Sequence, residues 1–388
     1  MYDFVLFENF YLALNHYKDV CIIAQMLQKC GYTVAIADVF GEAEHCQIEG
    51  VPHITFKKQC PVTIDYDSHN SGIIALLKNA LDRKRIDSYL KFVMRELRGK
   101  YRHLYAGSYF VHMTTGWLEE IPDESSAFFW GLRSSRLVEY KLNRFQLKSY
   151  DAYKLHRYFE NHQNLKYFVS DEIIRQEFID LGISPKRLVM RPERIIEQLP
   201  KISTPNKDDK SLCLLSIGSL RETKRIEKIL DALRDVNTLN IHYVIAGKAD
   251  AAYEAVIESH RKGLDNVERR NYRLSEEEYN TLIDQCDYLI LCDSRQQSSV
   301  TNGTMNEALL KGKPIIAPNY NPYRFFIEKY GIGIMFDPEE KLSLSDAIRR
   351  ANNMGSIAFE EAIHEYQGTL LMDRVIAQFS KELRAALA

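Results

Sequence analysis

Ser298–Pro318 reads SSVTNGTMNEALLKGKPIIAP, a polar loop with one glycine, then a short helix, then an apolar strand. Gly303, Glu307 and Lys311 stand four residues apart, so they share one face of that helix. A carboxylate one turn inside a helix, behind a mouth of Thr301, Asn302 and Gly303, is an odd choice for packing alone. Strand, polar loop, helix and strand follow one another on both sides of this stretch, and that alternation decides the fold.

Upstream lie the strand LCLLSIG, the helix RIEKILDALRDV and the strand IHYVIAG. Ile226, Ile229, Leu230 and Leu233 mark one face of that helix. Ser275 and Glu278 form a capping box that opens EEEYNTLIDQC, and the strand DYLILCD follows. Apolar strands alternating with helices through short connections imply a parallel sheet covered on both faces. The first half repeats the pattern less regularly. It has the strand YDFVLF, the helix VCIIAQMLQKCGY ended by Gly31, and the strand TVAIADVF. Later come LKYFVSD, a helix with Ile173, Ile174, Phe178 and Leu181 at helical spacing, and the strand KRLVMRP. LPKISTPNKDDKS, rich in Pro, Ser, Asn and charge, places a boundary near 198–210. The expected organisation is a first domain over 1–200, a second over 205–360, and a helical tail over 361–388.

At 388 residues the chain is long enough for two such domains. A formal net charge of −2 gives no whole-protein case for nucleic acid. Seven cysteines without a C-x-x-C spacing predict reduced, mostly buried thiols and a cytoplasmic setting. His45, Cys46 and His53 could be imagined as metal ligands, but their spacing reads as incidental, and no metal is expected. The start has neither a basic n-region nor a small-residue cleavage site, so no signal peptide is expected. No apolar run approaches the ~18 residues that span a membrane.

Two loops of the second block carry chemistry. In doubly wound sheets ligands sit beyond the carboxyl ends of the strands, where helix N-termini point. GSLRETKR follows the strand LCLLSIG: Gly218 permits close backbone approach, and Arg221 and Lys224 bring two positive charges just before a helix. The hydroxyls, amide and backbone N–H groups of SSVTNGTMNE can surround an anion at a second helix start. Together the loops describe a diphosphate site. Glu307 lies too deep for the phosphates and suits the vicinal hydroxyls of a ribose. The competing reading is an exposed Glu307–Lys311 pair worth ~0.3–0.5 kcal/mol. Arg221 and Lys224 by themselves read equally as a solvated helix start.

Taken in order, GSLRETK, YVIAG, LSEEEYNTLIDQCDYLILCDS, NEALLKGKPIIAP and GIGIMFDPEEKLSLSDAIRRA resemble the nucleotide-sugar-binding domain of GT-B glycosyltransferases of the retaining family 4 type. In the first half only YFVSDEIIRQEFIDLGISPKRLVMRP is similar to that family. The resemblance implies two Rossmann-like domains of doubly wound parallel sheet facing a central cleft, with the tail packing back toward the first. It implies a hexosyltransferase-like enzyme that moves a sugar from a UDP- or GDP-sugar to a saccharide or polyprenyl-linked acceptor with retention, in polysaccharide biosynthesis. Glu307, Arg221 and Lys224 would carry the catalysis. Gly218, Ser219, Arg221, Lys224, Ser299, Thr301, Asn302, Gly303 and Glu307 would bind the donor, with no cofactor beyond it. The chain departs from the family at two places. Ser299 stands where the first carboxylate of E-x7-E is usual, and Ser219 stands where the phosphate loop usually has Arg.

Segment 82–103 reads as an amphipathic helix, with Ile86, Leu90, Val93 and Leu97 in one stripe and Lys84, Lys91, Arg95 and Arg98 in another. The basic stripe, with the basic aromatic stretch RLVEYKLNRFQLKSYDAYKLHRYF, would suit a phosphate-bearing acceptor or a peripheral contact with an anionic membrane face. A solvated surface helix is the competing reading. His112 is the nearest candidate for a catalytic histidine, against a structural one. Two further functions stay open, a nucleotide-sugar epimerase on the same fold and an inactive transferase-like binding subunit.

Overall fold

The computed structural model describes residues 1–7, 14–41, 46–60, 73–108, 116–130, 161–200, 211–294 and 302–388. It divides into one unit of Met1–Ile195 with Met372–Ala388 and a second of Ile196–Leu371.

Among the described residues, unit 1 is built on seven parallel strands: β1 (Tyr2–Phe7), β2 (Val34–Ala37), β3 (His53–Ile54), β4 (Tyr101–Ser108), β5 (Ser126–Trp130), β6 (Leu165–Val169) and β7 (Leu188–Met190). They lie in the order β3-β2-β1-β4-β5-β6-β7. Successive side chains of a strand point to opposite faces, and here both faces are buried. Val5 and Phe7 of β1 join a core with Leu104, Phe129 and Tyr167 on one side. Phe4 and Leu6 join Tyr105, Phe128 and Phe168 on the other. The second face is covered by the helices Leu14–Lys29 and Met372–Leu387. The helical tail expected from 361 is therefore divided. Glu360–Thr369 stays in unit 2, and only Met372 onward belongs to unit 1.

Three expectations for the first half need correction or placement. The helix read over 82–103 runs over Ile73–Leu97, and Tyr101–His103 opens β4. Gly99, at φ +76°, turns the chain after Lys100 N donates to Leu97 O at 2.9 Å, a break that apolar spacing alone does not reveal. Cys21 and Cys46 form a disulfide with Cα atoms 5.8 Å apart, which corrects the expectation of seven free thiols. Thiol pairing depends on which segments fold side by side, not on cysteine spacing. The basic stretch Arg136–Phe159 lies outside the described residues.

Unit 2 carries β8 (Leu212–Ile217), β9 (Ile241–Ala246), β10 (Val267–Arg270), β11 (Tyr288–Ile290), β12 (Ile315–Pro318) and β13 (Gly333–Phe336). All pair in parallel, in the order β10-β9-β8-β11-β12-β13. The chain walks outward from β8 to β10, then returns to β8's other side for β11. The carboxyl ends of β8 and β11 therefore flank the crevice where the order reverses. The capping box at Ser275 is formed, with Ser275 Oγ accepting from Glu278 N at 3.1 Å and Ser275 N donating to Glu278 Oε2 at 2.9 Å. Ile196 N donates to Leu370 O at 3.0 Å, so the entry and exit of unit 2 run side by side. Among the described residues, no helix is long and apolar enough to cross a membrane.

Candidate functional site

The loop after β8 meets the start of the Gly303–Leu310 helix at the crevice between β8 and β11. Gly218 ends β8 at φ +112°, and a β-carbon placed there would stand 3.6 Å from Thr304 Oγ1, in the first turn of the Gly303–Leu310 helix. Beyond it, Glu222–Lys224 forms one turn of 3-10 helix, and Arg225 takes a left-handed conformation (φ 51°, ψ 42°) before the Ile226–Asp235 helix. A left-handed arginine is uncommon and costs backbone energy. The loop after β11 is tied to this turn twice. Ser294 N donates to Thr223 O at 2.7 Å, and Lys224 Nζ lies 2.9 Å from Asp293 Oδ1.

Asp293 was not singled out by sequence, yet it sits at the centre. It is 3% exposed. Its Oδ2 accepts from Asn302 Nδ2 at 2.9 Å and from the Tyr323 hydroxyl. Asn302 Nδ2 also donates to Tyr323 Oη at 3.0 Å. Burial, and next the Asp293 charge, push the Tyr323 phenol well above its ordinary value, so it stays a donor. The sequence signal for Asp293 was a charge closing the apolar run YLILCD. Nothing local pointed to Tyr323, which arrives from the helix after β12.

Asn302 is the N-cap of the Gly303–Leu310 helix: its Oδ1 accepts from Thr304 N at 3.0 Å and Met305 N at 3.3 Å. Its amide is thus committed to the cap on one side and to Asp293 on the other. The cap leaves the N–H of Gly303, at the first helical position, outside the hydrogen bonds that Asn302 Oδ1 accepts. At the other end of the helix, buried Gln367 donates to Leu309 O at 2.8 Å, satisfying a terminal carbonyl and fixing the helix from behind.

Lys311 has a partner on another helix: its ammonium lies 2.9 Å from both carboxylate oxygens of Asp284 on the Glu276–Gln285 helix. Glu307 is half-buried one turn into the helix, as its position required. Ser219 and Arg221 are exposed on the loop after β8. Ser299 and Thr301 lie outside the described residues, as does His112.

The basic stripe in unit 1 is largely exposed and carries its own acidic partners. Lys91 Nζ stands 3.6 Å from Asp87, and Arg95 Nε and Arg98 Nη2 reach Glu120 at 3.0 and 3.4 Å. The Arg95 hydrogen bond holds the Glu120 carboxyl below its usual range. Lys84 is exposed. Lys91 thus pairs with an acid one turn back on its own helix, while Arg95 and Arg98 share Glu120, which the helical wheel alone did not place. Cys46 is in the disulfide, so it is not available with His53 as a ligand pair. Among the described residues, no three His, Cys, Asp or Glu side chains gather where they could hold a metal ion.

Residues 198–366 match the protein family described as Glycosyl transferases group 1. No curated protein matches the chain by sequence. Several solved structures share its fold along nearly its whole length. HepE of Anabaena, solved with UDP-glucose, superposes with a TM-score of 0.63 at 12% identity, covering 99% of this chain and 100% of that one. WaaG, a glycosyltransferase involved in lipopolysaccharide biosynthesis, gives 0.59 at 15%, covering 99% and 98%. Sucrose-phosphate synthase of Thermosynechococcus elongatus gives 0.64 at 14%, covering 99% and 96%. The expected fold class holds: two Rossmann-like parallel-sheet units of the GT-B type.

Proposed function

We propose that this chain, whose residues 198–366 form a glycosyl transferases group 1 domain, transfers a sugar from a nucleoside-diphosphate sugar to a saccharide or lipid-linked saccharide. One observation carries the reading: Lys224 and the start of the Gly303–Leu310 helix converge at the crevice between β8 and β11. The reaction breaks the bond between the sugar's anomeric carbon and the diphosphate oxygen. Negative charge grows on that oxygen in the transition state. The anchored Lys224 ammonium, the guanidinium of exposed Arg221 and the Gly303 N–H are donors suited to it. Cationic side chains supply this charge, so the reading asks for no resident metal. Glu307 would accept hydrogen bonds from the ribose.

HepE, a protein of the same fold, binds UDP-glucose, and this favours a UDP-sugar as donor over a GDP-sugar. WaaG acts in lipopolysaccharide biosynthesis, which supports a cell-surface glycan as product, made at the cytoplasmic side. Retention of configuration belongs to the same proposal. Ser299, in place of a carboxylate, favours a second reading in which the donor is bound but not turned over.

Lys224→Ala is expected to weaken UDP binding roughly 10- to 100-fold, the worth of a charge-assisted hydrogen bond, while uridine binding changes less than about twofold. Titration calorimetry with both ligands tests this, and equal losses for the two would remove Lys224 from the phosphate site. Glu307→Gln should keep the fold and weaken UDP binding about tenfold, the difference between a charged and a neutral acceptor. Wild type should penalise 2′-deoxy- and 3′-deoxy-UDP, and the variant much less. An unchanged penalty in the variant would separate Glu307 from the ribose.

A further inference from the structure

Asp293 is a buried carboxylate that joins three elements around the crevice. Its Oδ1 faces Lys224 on the loop after β8, and its Oδ2 receives the cap residue Asn302 and the Tyr323 hydroxyl. A carboxylate buried to this degree costs several kcal/mol of lost hydration unless its lone pairs are well used. Packing alone would be served by an apolar residue, as at neighbouring Leu291 and Cys292, which are buried as well. The Lys224 side chain stays 23% exposed while the Asp293 side chain is 4% exposed. The ammonium is thus held from the protein side and open on the other. Lys224 Nζ stands 2.9 Å from Oδ1, so an ion pair to a buried carboxylate anchors the ammonium.

We propose that Asp293 is a positioning residue: it fixes Lys224 and the Asn302 cap in one arrangement, so that an incoming diphosphate meets a preorganised cation and helix start. A lysine free to wander must be immobilised when the ligand arrives, and that entropy is a cost of binding. Asp293 removes the cost in advance. The inference rests on the diphosphate reading of this site.

The sign of the effect makes it testable. Asp293 is an anion close to where another anion is expected to bind. Plain electrostatics therefore predicts that Asp293→Asn tightens UDP binding. Preorganisation predicts the reverse, a loss of about tenfold, or roughly 1.4 kcal/mol. The experiment is a double-mutant cycle on the full chain, with UDP titrated into wild type, Asp293→Asn, Lys224→Ala and the double variant. If Asp293 acts through Lys224, its tenfold loss shrinks below about twofold once Lys224 is alanine. A destabilised site without this role would lose affinity equally in both backgrounds, and that result overturns the proposal. Tighter or unchanged UDP binding in Asp293→Asn overturns it too. Asp293→Ser, whose hydroxyl still accepts from Asn302, serves as the companion should the amide variant not fold, with the same loss and the same coupling expected. If Lys224→Ala itself leaves UDP binding unchanged, the diphosphate reading and this proposal fall together. If it weakens binding while Asp293 shows no coupling, only the positioning role is lost.

Discussion

Gly247→Ala is expected to destabilise unit 2 by about 3 kcal/mol or more and to weaken UDP binding with it. Gly247 follows β9 at φ +131°, a conformation that side chains rarely adopt. A β-carbon there would lie 1.8 Å from Gly218 O and 2.8 Å from Gly218 C. Both contacts are to backbone, which cannot swing aside as a flexible side chain would. Gly218 N itself donates to Ala246 O at 3.0 Å, so the two strand ends are locked at this spacing. Relief must come from moving Gly218, the residue that sets the loop carrying Arg221 and Lys224. Gly263 provides the control. It has φ +77° but nothing within 4 Å of its added β-carbon, so Gly263→Ala should cost only the backbone term, about 1 kcal/mol. Urea unfolding of both variants, with UDP titration beside it, makes the comparison. Equal destabilisation would show that the close approach to Gly218 is not what requires glycine.

Phe379→Ala should cost about 3–5 kcal/mol, the range for emptying an aromatic site in a packed core. Phe379 is fully buried in the Met372–Leu387 helix, with its ring 5.4 Å from that of Phe168 on β6. Around it the helix is held at several points. Glu382 accepts from Met190 N at 2.7 Å and pairs with Arg175 at 3.0 Å, and the Lys166 ammonium donates to Ala386 O. The helix thus closes one face of unit 1, far along the chain from the strands it covers. Hydrogen exchange reports where the loss falls. Protection should drop in β1, β6 and β7 and stay unchanged in β8 to β13. Loss confined to unit 2 strands would mean that the last helix is not part of the first core.

How much of this was legible beforehand differs between the units. In unit 2 most strands are short apolar runs bounded by glycine, cap or turn residues, and LCLLSIG, IHYVIAG and KPIIAP became β8, β9 and β12. Val267–Arg270 was not read as a strand, since three of its four residues are charged and it lies at the sheet edge. In unit 1, β4 and β5 escaped because RHLYAGS and SAFFW show neither clear alternation nor flanking turn signals. The C-terminal tail read as one helix from 361, but the transfer between units falls at Leu371–Met372. Helical periodicity does not tell which core a helix joins.

For the site, local sequence supplied the groups and their positions on loops and helices. Gly218, Arg221 and Lys224 stand on one loop, and Asn302, Gly303 and Glu307 at one helix start, positions that local strand, turn and cap signals set. Their partners were decided by tertiary structure. Lys311 turns to Asp284, 27 residues away, although Glu307 stands four residues off. Asp293 receives Tyr323 from 30 residues away. The side chains of Arg95 and Arg98 meet Glu120 across from their own helix. Turn chemistry, capping and amphipathic spacing act over one or two turns of chain, so the sequence alone determines where strands, helices and anion-facing loops occur. Which strands become neighbours, and hence which distant charges meet, follows from burying both faces of a sheet at once. Only the assembled fold settles that, because every strand order open to the chain draws on the same local preferences.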